Sequence, residues 1–395
     1  MVRSQNVPNG WTVALLDSVA ERCSGHTPSK SSPEYWNGGI KWISLADSFR
    51  LDNGYVYETD KEISQLGIDN SSAVIHPKGT VVLSRDAGVG KSAVMAEPMA
   101  VSQHFIAWKC DANKKVHNWF LYNWLQFHKP TFERQAVGST IKTIGLPFFK
   151  KLKIALPSYD EQRKIAKILS TWDKAISTIE KLLETSKQQK KALMQQLLTG
   201  KKRLVNPETG KVFEGEWEEV LLGDISYITT GSSNREDSSL DSEYTFFERS
   251  EDIRRSNRYL FDAEAVIVAG EGQDFVPKHF EGKFDLHQRT YAIMNFEKSV
   301  GKFLYYYIGY YRHYFLAQAV GSTVKSLRLP MFQKMPIHLP KVGEQQKIVS
   351  ILNAADKEIE VLEAKLAHFK QEKKALMQQL LTGKRRVKVE EMEVA

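Results

Sequence analysis

Part of this chain is written twice at a constant interval, and that repeat constrains its fold more than anything else in the sequence. Residues 136–140 read AVGST, and residues 319–323 read AVGST again. Residues 190–201 read KKALMQQLLTGK, and residues 373–384 repeat the string. Both pairs lie 183 residues apart (319 − 136 and 373 − 190), so no insertion falls between the copied segments. The residues ahead of each copy share almost nothing. The chain is therefore two units, each a variable block followed by a repeated block. Such a layout suits two different ligands read through one shared framework.

The repeated block reads as a long helix. Ser158 follows Pro157, and Glu161 stands three residues on, the pattern of a capping box. No glycine follows until Gly200 and no proline until Pro207. Positions Ile165, Leu169, Trp172, Ile176, Ile179, Leu183, Ser186, Lys190, Leu193 and Leu197 step alternately by four and three, the seam of a coiled coil. The second copy gives Ile348, Leu352, Ala355, Ile359, Leu362, Leu366, Phe369, Lys373, Leu376 and Leu380, after a weaker start at Pro340 and Gly343. The spacing predicts a first helix ending at Thr199, with Gly200 taking the left-handed turn, and a second ending at Gly383. Roughly 40 residues make a rod of about 60 Å, too long to bury its stripe inside one small domain. The nearest partner is the other copy. An antiparallel intramolecular pair is favoured, because it gives two like units like surroundings about a pseudo-twofold axis. Ser186 with Lys190, and Phe369 with Lys373, are the seam positions that can set register.

The variable blocks, residues 1–157 and 204–340, are each long enough for a domain. They flank helices at 158–203 and 341–386, with a tail at 387–395. Strand-like runs occur at 80–84, 105–108, 265–269 and 289–293, with shorter helical stretches at 118–126 and 300–314. The expected class is α/β (α+β): two strand-rich globular domains with long loops, plus the two long helices. Loops on a rigid scaffold are where variable recognition resides.

A net charge of +8 and a pI of about 9.1 favour an anionic partner such as nucleic acid. The candidate DNA contacts in the first block are Lys30, Arg85, Lys91 and His104, and in the second Arg254, Arg255, Lys278, His279 and Arg289. Arg50 and Arg235, Arg249 and Arg258 also lie in these loops. Lys142 and Lys325 each close a repeated Gly-Ser-Thr-x-Lys word, which either touches phosphate or fixes its domain on the helix. Two cysteines, Cys23 and Cys110, make neither a disulfide framework nor a zinc cluster. The chain has no apolar run of membrane-spanning length and no signal-like start, so a cytoplasmic location is expected. Residues 85–92, RDAGVGKS, lack the first glycine of a phosphate-binding loop, since Arg85 stands there. The ten histidines have no metal spacing, and no nucleophile elbow occurs. No catalytic residue, metal or cofactor is expected in this chain.

The layout and its words resemble the specificity (S) subunit of Type I restriction-modification systems. Residues 25–29 (GHTPS) with 34–43 (EYWNGGIKWI) look like that family's opening words. Gly138-Ser139-Thr140, Leu156-Pro157 and Glu161-Gln162 are mirrored by Gly321-Ser322-Thr323, Leu339-Pro340 and Glu344-Gln345. The ALMQQLLTG twins complete the likeness. The second block departs from it, with Thr230-Gly231-Ser232-Ser233 in place of the opening words, which leaves open whether the two blocks share loop geometry. The resemblance implies a non-catalytic subunit whose two target recognition domains each read half of a bipartite DNA site. It also implies helices that set the spacer and dock two modification (methyltransferase) subunits and the restriction subunits, which carry S-adenosylmethionine and ATP. Two other readings stand beside it: a coiled-coil scaffold with two protein-binding domains, and a specificity subunit of a related restriction enzyme outside Type I.

Overall fold

The computed structural model describes residues 7–111, 114–239, 241–249 and 252–389. The chain forms two units, residues 1–179 with 365–395 (unit 1) and residues 180–364 (unit 2).

Unit 1 is built on a five-stranded sheet in the order Glu21–Ser24, Phe105–Lys109, Val81–Ser84, Ser92–Met95, Tyr55–Val56. Every neighbouring pair is antiparallel except the last, which is parallel. Val81–Ser84 and Ser92–Met95 are buried along their whole length, as befits strands covered on both faces. Alternate residues serve the two sides. Val81, Leu83, Val94, Ile106 and Trp108 meet helix Asn118–Gln135, while Val82, Ala93, Met95, Phe105 and Ala107 meet Ile43, Leu51 and Val101. That helix outruns the predicted 118–126 and continues through Pro130. Trp124 and the buried Phe132 anchor the turns on either side of the proline, and this packing offsets the lost backbone bond.

Unit 2 has a seven-stranded sheet in the order Tyr227–Thr230, Thr290–Met294, Phe261–Ala269, Lys278–Leu286, Tyr244–Phe247, Ile253–Ser256, Ser238–Ser239. Its first five strands repeat unit 1 strand for strand, including the parallel pair at the fifth position. A short ribbon closes each unit, Thr12–Leu15 with Lys153–Leu156 and Glu218–Leu221 with Pro336–Leu339. The two blocks are thus the same fold, although their sequences have almost nothing in common. The likeness escapes inspection because the offset drifts. It is 206 residues from Glu21 to Tyr227, 185 from Phe105 to Thr290, and 183 only from Asn118 to Gly301 onward.

The long helices are Tyr159–Leu197 and Val342–Leu380, 39 residues each. Their seam residues are all buried or half-buried. Within each unit the two helices run antiparallel, as their contacts show. In unit 1 the start of the first helix meets the end of the second: Glu161 takes a bidentate bond from Arg386 (2.8 and 2.7 Å), Asp173 pairs with Lys373, and Trp172 stacks edge-on against Phe369 at 5.3 Å. In unit 2 the same pairs recur with roles exchanged. Glu344 takes Arg203 (2.8 Å twice), and Asp356 takes Lys190. The seam lysines therefore set register through carboxylates rather than through seam neighbours alone. Ser186 adds a bond to Glu358 at 3.0 Å.

Each helix begins with a matching joint. Gln162 accepts from the His117 N–H (2.9 Å) and donates to the Lys115 and Pro157 carbonyls (3.0 Å each). Gln345 accepts from the Val300 N–H (2.8 Å) and donates to the Lys298 and Pro340 carbonyls (3.1 and 2.8 Å). Only half of the predicted capping box forms at Ser158. Its hydroxyl accepts the Glu161 N–H at 3.3 Å, but the Glu161 carboxylate goes to Arg386. Both helices stop at a leucine just short of the predicted ends. Gly200 (φ 68°) and Gly383 (φ 69°) then make the left-handed turn, packed on Trp217 and Trp11 respectively.

Candidate nucleic-acid interface

The repeated AVGST words form the same small turn in each unit. Residues 137–143 are closed by a bridge between Val137 and Thr143, and residues 320–326 by one between Val320 and Ser326. Gly138 (φ 129°) and Gly321 (φ 115°) make the bend possible, since a Cβ there would strike the Ile141 or Val324 carbonyl. Everything from Val137 to Lys142, and from Val320 to Lys325, is exposed. Each turn thus projects two hydroxyls, two aliphatic side chains and one lysine into solvent.

Behind each turn lies the end of the sheet. The Ile144 N–H donates to the Arg85 carbonyl (2.9 Å), and the Leu327 N–H to the Gly270 carbonyl (2.8 Å). Arg85 and Gly270 in turn donate their N–H groups to the carbonyls of His104 (3.0 Å) and Arg289 (2.8 Å). The next residue in each case is a carboxylate paired with that same partner. Asp86 Oδ2 meets His104 Nδ1 at 2.7 Å, and Glu271 meets Arg289. Gln103 and Gln288, both exposed, precede His104 and Arg289. Each unit therefore presents one assembly: an exposed Gly-Ser-Thr-x-Lys turn, a carboxylate behind it, and beside it a glutamine followed by a histidine or an arginine. In unit 2 these residues line a shallow pocket formed by Gly270, Glu271, Gln288, Arg289, Tyr291, Ser326 and Leu327.

The two blocks also share the turn that leads into this face. Gly25 and Gly231 end the first strand of their sheets, and a Cβ at either would collide with a backbone carbonyl, of Val101 or Leu286. Gly231 therefore does the backbone work of Gly25, while the residues after it differ.

The candidate contacts do not all converge on this face. Arg85, His104, Lys142, Arg289 and Lys325 belong to the assemblies just described. Lys91 is turned inward to the Ser48 carbonyl at 3.0 Å. The loop around it bends at Gly88 (φ 106°) and Gly90 (φ 86°) and runs directly into a strand, as its failed phosphate-loop pattern predicts. Lys30 is exposed on a separate loop. Arg254 and Arg255 are consecutive in strand Ile253–Ser256 and so point to opposite faces of the sheet. Arg254 lies 3.7 Å from the buried Glu248, and Arg255 bonds to the Glu243 carbonyl at 3.0 Å. Lys278 and His279 are split the same way. His279 lies on the helix-covered face, bonded to Glu264 at 2.8 Å and edge-on to Tyr305.

Three arginines outside the candidate set complete the exposed face of unit 2. Arg249 reaches Glu271 (3.2 Å), Arg235 reaches Glu248 (3.5 Å), and Arg258 reaches Asp285 (3.8 Å) and the Ser233 hydroxyl (2.8 Å). Buried His287 sits among these groups, and its pKa is pushed below the usual histidine range by burial and by Arg249 and Arg289. The carboxylates behind these arginines were the missing signal. Glu248, Glu271 and Asp285 lie within or beside apolar strand runs, where an acid marks a paired cation.

Residues 8–187 and 214–371 match the family described as the Type I restriction modification DNA specificity domain. The chain belongs to this family. Specificity subunits of Methanocaldococcus jannaschii are among its relatives. The MjaVIII subunit is 24% identical over 97% of this chain and 94% of its own length. The MjaIX subunit is 28% identical over 58% of this chain, a match spanning 54% of that protein. The fold is that of the Type I S subunit from M. genitalium, with a TM-score of 0.64 at 16% identity, covering 96% of this chain and 98% of that one. As a specificity subunit, the chain is a DNA-recognition component of a type I restriction-modification complex and not its catalytic part. Among the described residues no helix is long and apolar enough to cross a membrane.

Proposed function

We propose that each unit of this specificity subunit reads one half of a bipartite DNA site. The long helices, each contributing to both units, set the spacer between the halves. They also dock two modification subunits and, with them, the restriction subunits. In this reading S-adenosylmethionine and ATP are bound by those partners, and the complex works in the cytoplasm of a bacterium or archaeon. One observation carries the proposal: the Glu161–Arg386 and Glu344–Arg203 latches, the Asp173–Lys373 and Asp356–Lys190 pairs, the glutamine joints and the Gly-Ser-Thr turns repeat between units, while the side chains beside the turns do not. Equal surfaces suit equal partners, and unequal reading faces suit unequal half-sites. The repeated Lys142 and Lys325 then meet the phosphate backbone, which is the same in both halves.

Two measurements test this. Methylation profiling of a host carrying the complex is expected to show a motif of two unlike halves with a fixed gap. A single uninterrupted motif overturns the reading. Replacing Lys142 or Lys325 by Ala is expected to lower the salt slope of DNA binding by about one each, whatever the sequence. An unchanged slope removes the lysines from the phosphate contacts.

A further inference from the structure

Unit 2 carries an arrangement that unit 1 lacks among its described residues. Five arginines stand on three carboxylates at the end of its sheet that bears the Gly-Ser-Thr turn. Glu248 and Asp285 are almost wholly buried, and Glu271 is half-buried. Arg235 and Arg254 flank Glu248; Arg249 and Arg289 share Glu271; Arg258 rests on Asp285. Asp285 is held rigidly, since Ser233 and Ser256 donate their hydroxyls to its two oxygens at 2.6 and 2.8 Å. Four of the arginines (235, 249, 258 and 289) are nonetheless half-exposed or more. Arg249 and Arg289 are hydrogen-bonded to Glu271, Arg258 bonds to the Ser233 hydroxyl at 2.8 Å with Asp285 and Asp237 each 3.8 Å away, and Arg235 lies 3.5 Å from Glu248; each is thus oriented along one edge and open to solvent along the other.

That combination costs stability unless it serves a ligand. Arginine loses considerable side-chain entropy when held in one geometry, and exposed ion pairs return little. A guanidinium with one edge anchored still offers a free fork of N–H donors in a fixed plane. The fork matches the O6 and N7 acceptors of guanine in the major groove; it also grips phosphate bidentately, and only the guanine contact depends on base sequence.

We propose that Arg249, Arg258 and Arg289 are specificity-determining residues that read guanines in the half-site of unit 2. Arg249 and Arg289 take different oxygens of Glu271, and Arg289 lines the pocket beside Ser326. Arg258 acts from Asp285. In unit 1 the position of Arg289 is His104, held by Asp86, so the same turn offers a different donor there. The inference rests on the DNA-reading role proposed above and adds the base and the residues.

The test is selection of bound sequences from a randomised duplex pool by the full chain assembled with its modification subunits. It uses Arg249→Lys, Arg258→Lys and Arg289→Lys, which keep the charge on each carboxylate and so preserve the fold. Each variant is expected to relax one G·C position about tenfold or more in one half-site only, with the other half-site and the salt slope unchanged. Thermal melting identifies any variant that has lost its fold, and Gln at the same position then replaces Lys. Retention of the full sequence preference by all three variants overturns the inference. So does equal weakening of both half-sites with a shallower salt slope, which marks the arginines as backbone contacts. If the unaltered complex enriches no sequence, the DNA-reading role itself fails.

Discussion

At the same place in the same sheet, unit 1 holds a histidine on Asp86 and unit 2 holds two arginines on Glu271. A few residues away, the Gly-Ser-Thr turns and the glutamines that lock each long helix are matched bond for bond. The difference shows how a duplicated protein divides its labour. Positions that bear on the framework are held in duplicate, down to the carbonyl each glutamine selects. Positions that face outward beside the turn are free to change, provided a carboxylate behind them anchors the side chain that replaces the old one.

The largest expected effect tests whether the two helix latches are equal. Arg203 is 27% exposed and Arg386 46%, while their carboxylates Glu344 and Glu161 are almost wholly buried. Arg203→Ala is expected to cost about 4 kcal/mol, because a buried carboxylate loses its partner. Arg386→Ala is expected to cost less, since water reaches that latch. Urea denaturation with hydrogen exchange resolved by unit gives both numbers, and equal losses would erase the distinction.

Acid is expected to separate the units next. His76 is buried with neither ring nitrogen hydrogen-bonded, and burial, aided by Lys109, pushes its pKa from about 6.5 to about 4. Burial also lowers His117 and His128 in the same unit, against His287 in unit 2. With the folded pKa depressed, the unfolded chain takes up the proton first. Stability is full above about pH 6.5 and falls as pH drops toward 4, by roughly 3 kcal/mol for His76 alone. Unit 1 is therefore expected to open at a higher pH than unit 2, and His76→Leu to remove most of that slope.

Smaller effects probe the shared parts. Gly138→Ala and Gly321→Ala are expected to cost about 2 kcal/mol each, and to agree with one another, because φ and the carbonyl clash are alike. A difference between them in thermal melting would show that the turns only look equivalent. Tyr306→Phe is expected to cost about 1 kcal/mol. The Tyr306 hydroxyl bonds to Asp356 (2.6 Å) and Asn353 (2.7 Å), and its pKa is raised by burial and by that carboxylate. Its counterpart in unit 1, Asn123, bonds instead to the Trp119 carbonyl. The Asp173–Lys373 pair is thus expected to be indifferent to Asn123→Ala, as a double-mutant cycle would show.

The helices were legible because a heptad needs only one residue type every three or four positions, and Ile165, Leu169, Ile348 and Leu352 supply it without ambiguity. Their caps were partly legible. Gly200 and Gly383 behave as expected, whereas Glu161 abandons its cap for an arginine more than two hundred residues away, which no local pattern shows. The likeness of the two sheets was hidden by unequal loops, although a glycine at 25 and 231 and a Phe-Leu-Tyr at 120–122 and 303–305 preserve traces of it. Of the candidate contacts, Arg85, His104, Lys142, Arg289 and Lys325 come together beside the repeated turns, which the repeat itself pointed to. Sequence could not sort Arg254 from Arg255, or Lys278 from His279, because strand register decides which of two neighbours faces outward.

One further consequence concerns the order in which a ribosome releases this chain. The core of unit 1 includes Leu380 and Leu381, with Leu376 and Met377 packed against it, and these residues are synthesised after the whole of unit 2. Unit 2 is continuous in sequence and takes its own helix residues, Leu197 and Leu198, from just ahead of its sheet. The half translated first is thus the last to have its interior complete. A nascent chain interrupted anywhere in unit 2 carries an N-terminal sheet with an open apolar seam, visible to chaperones and proteases, so only a chain translated through the second helix can close both halves.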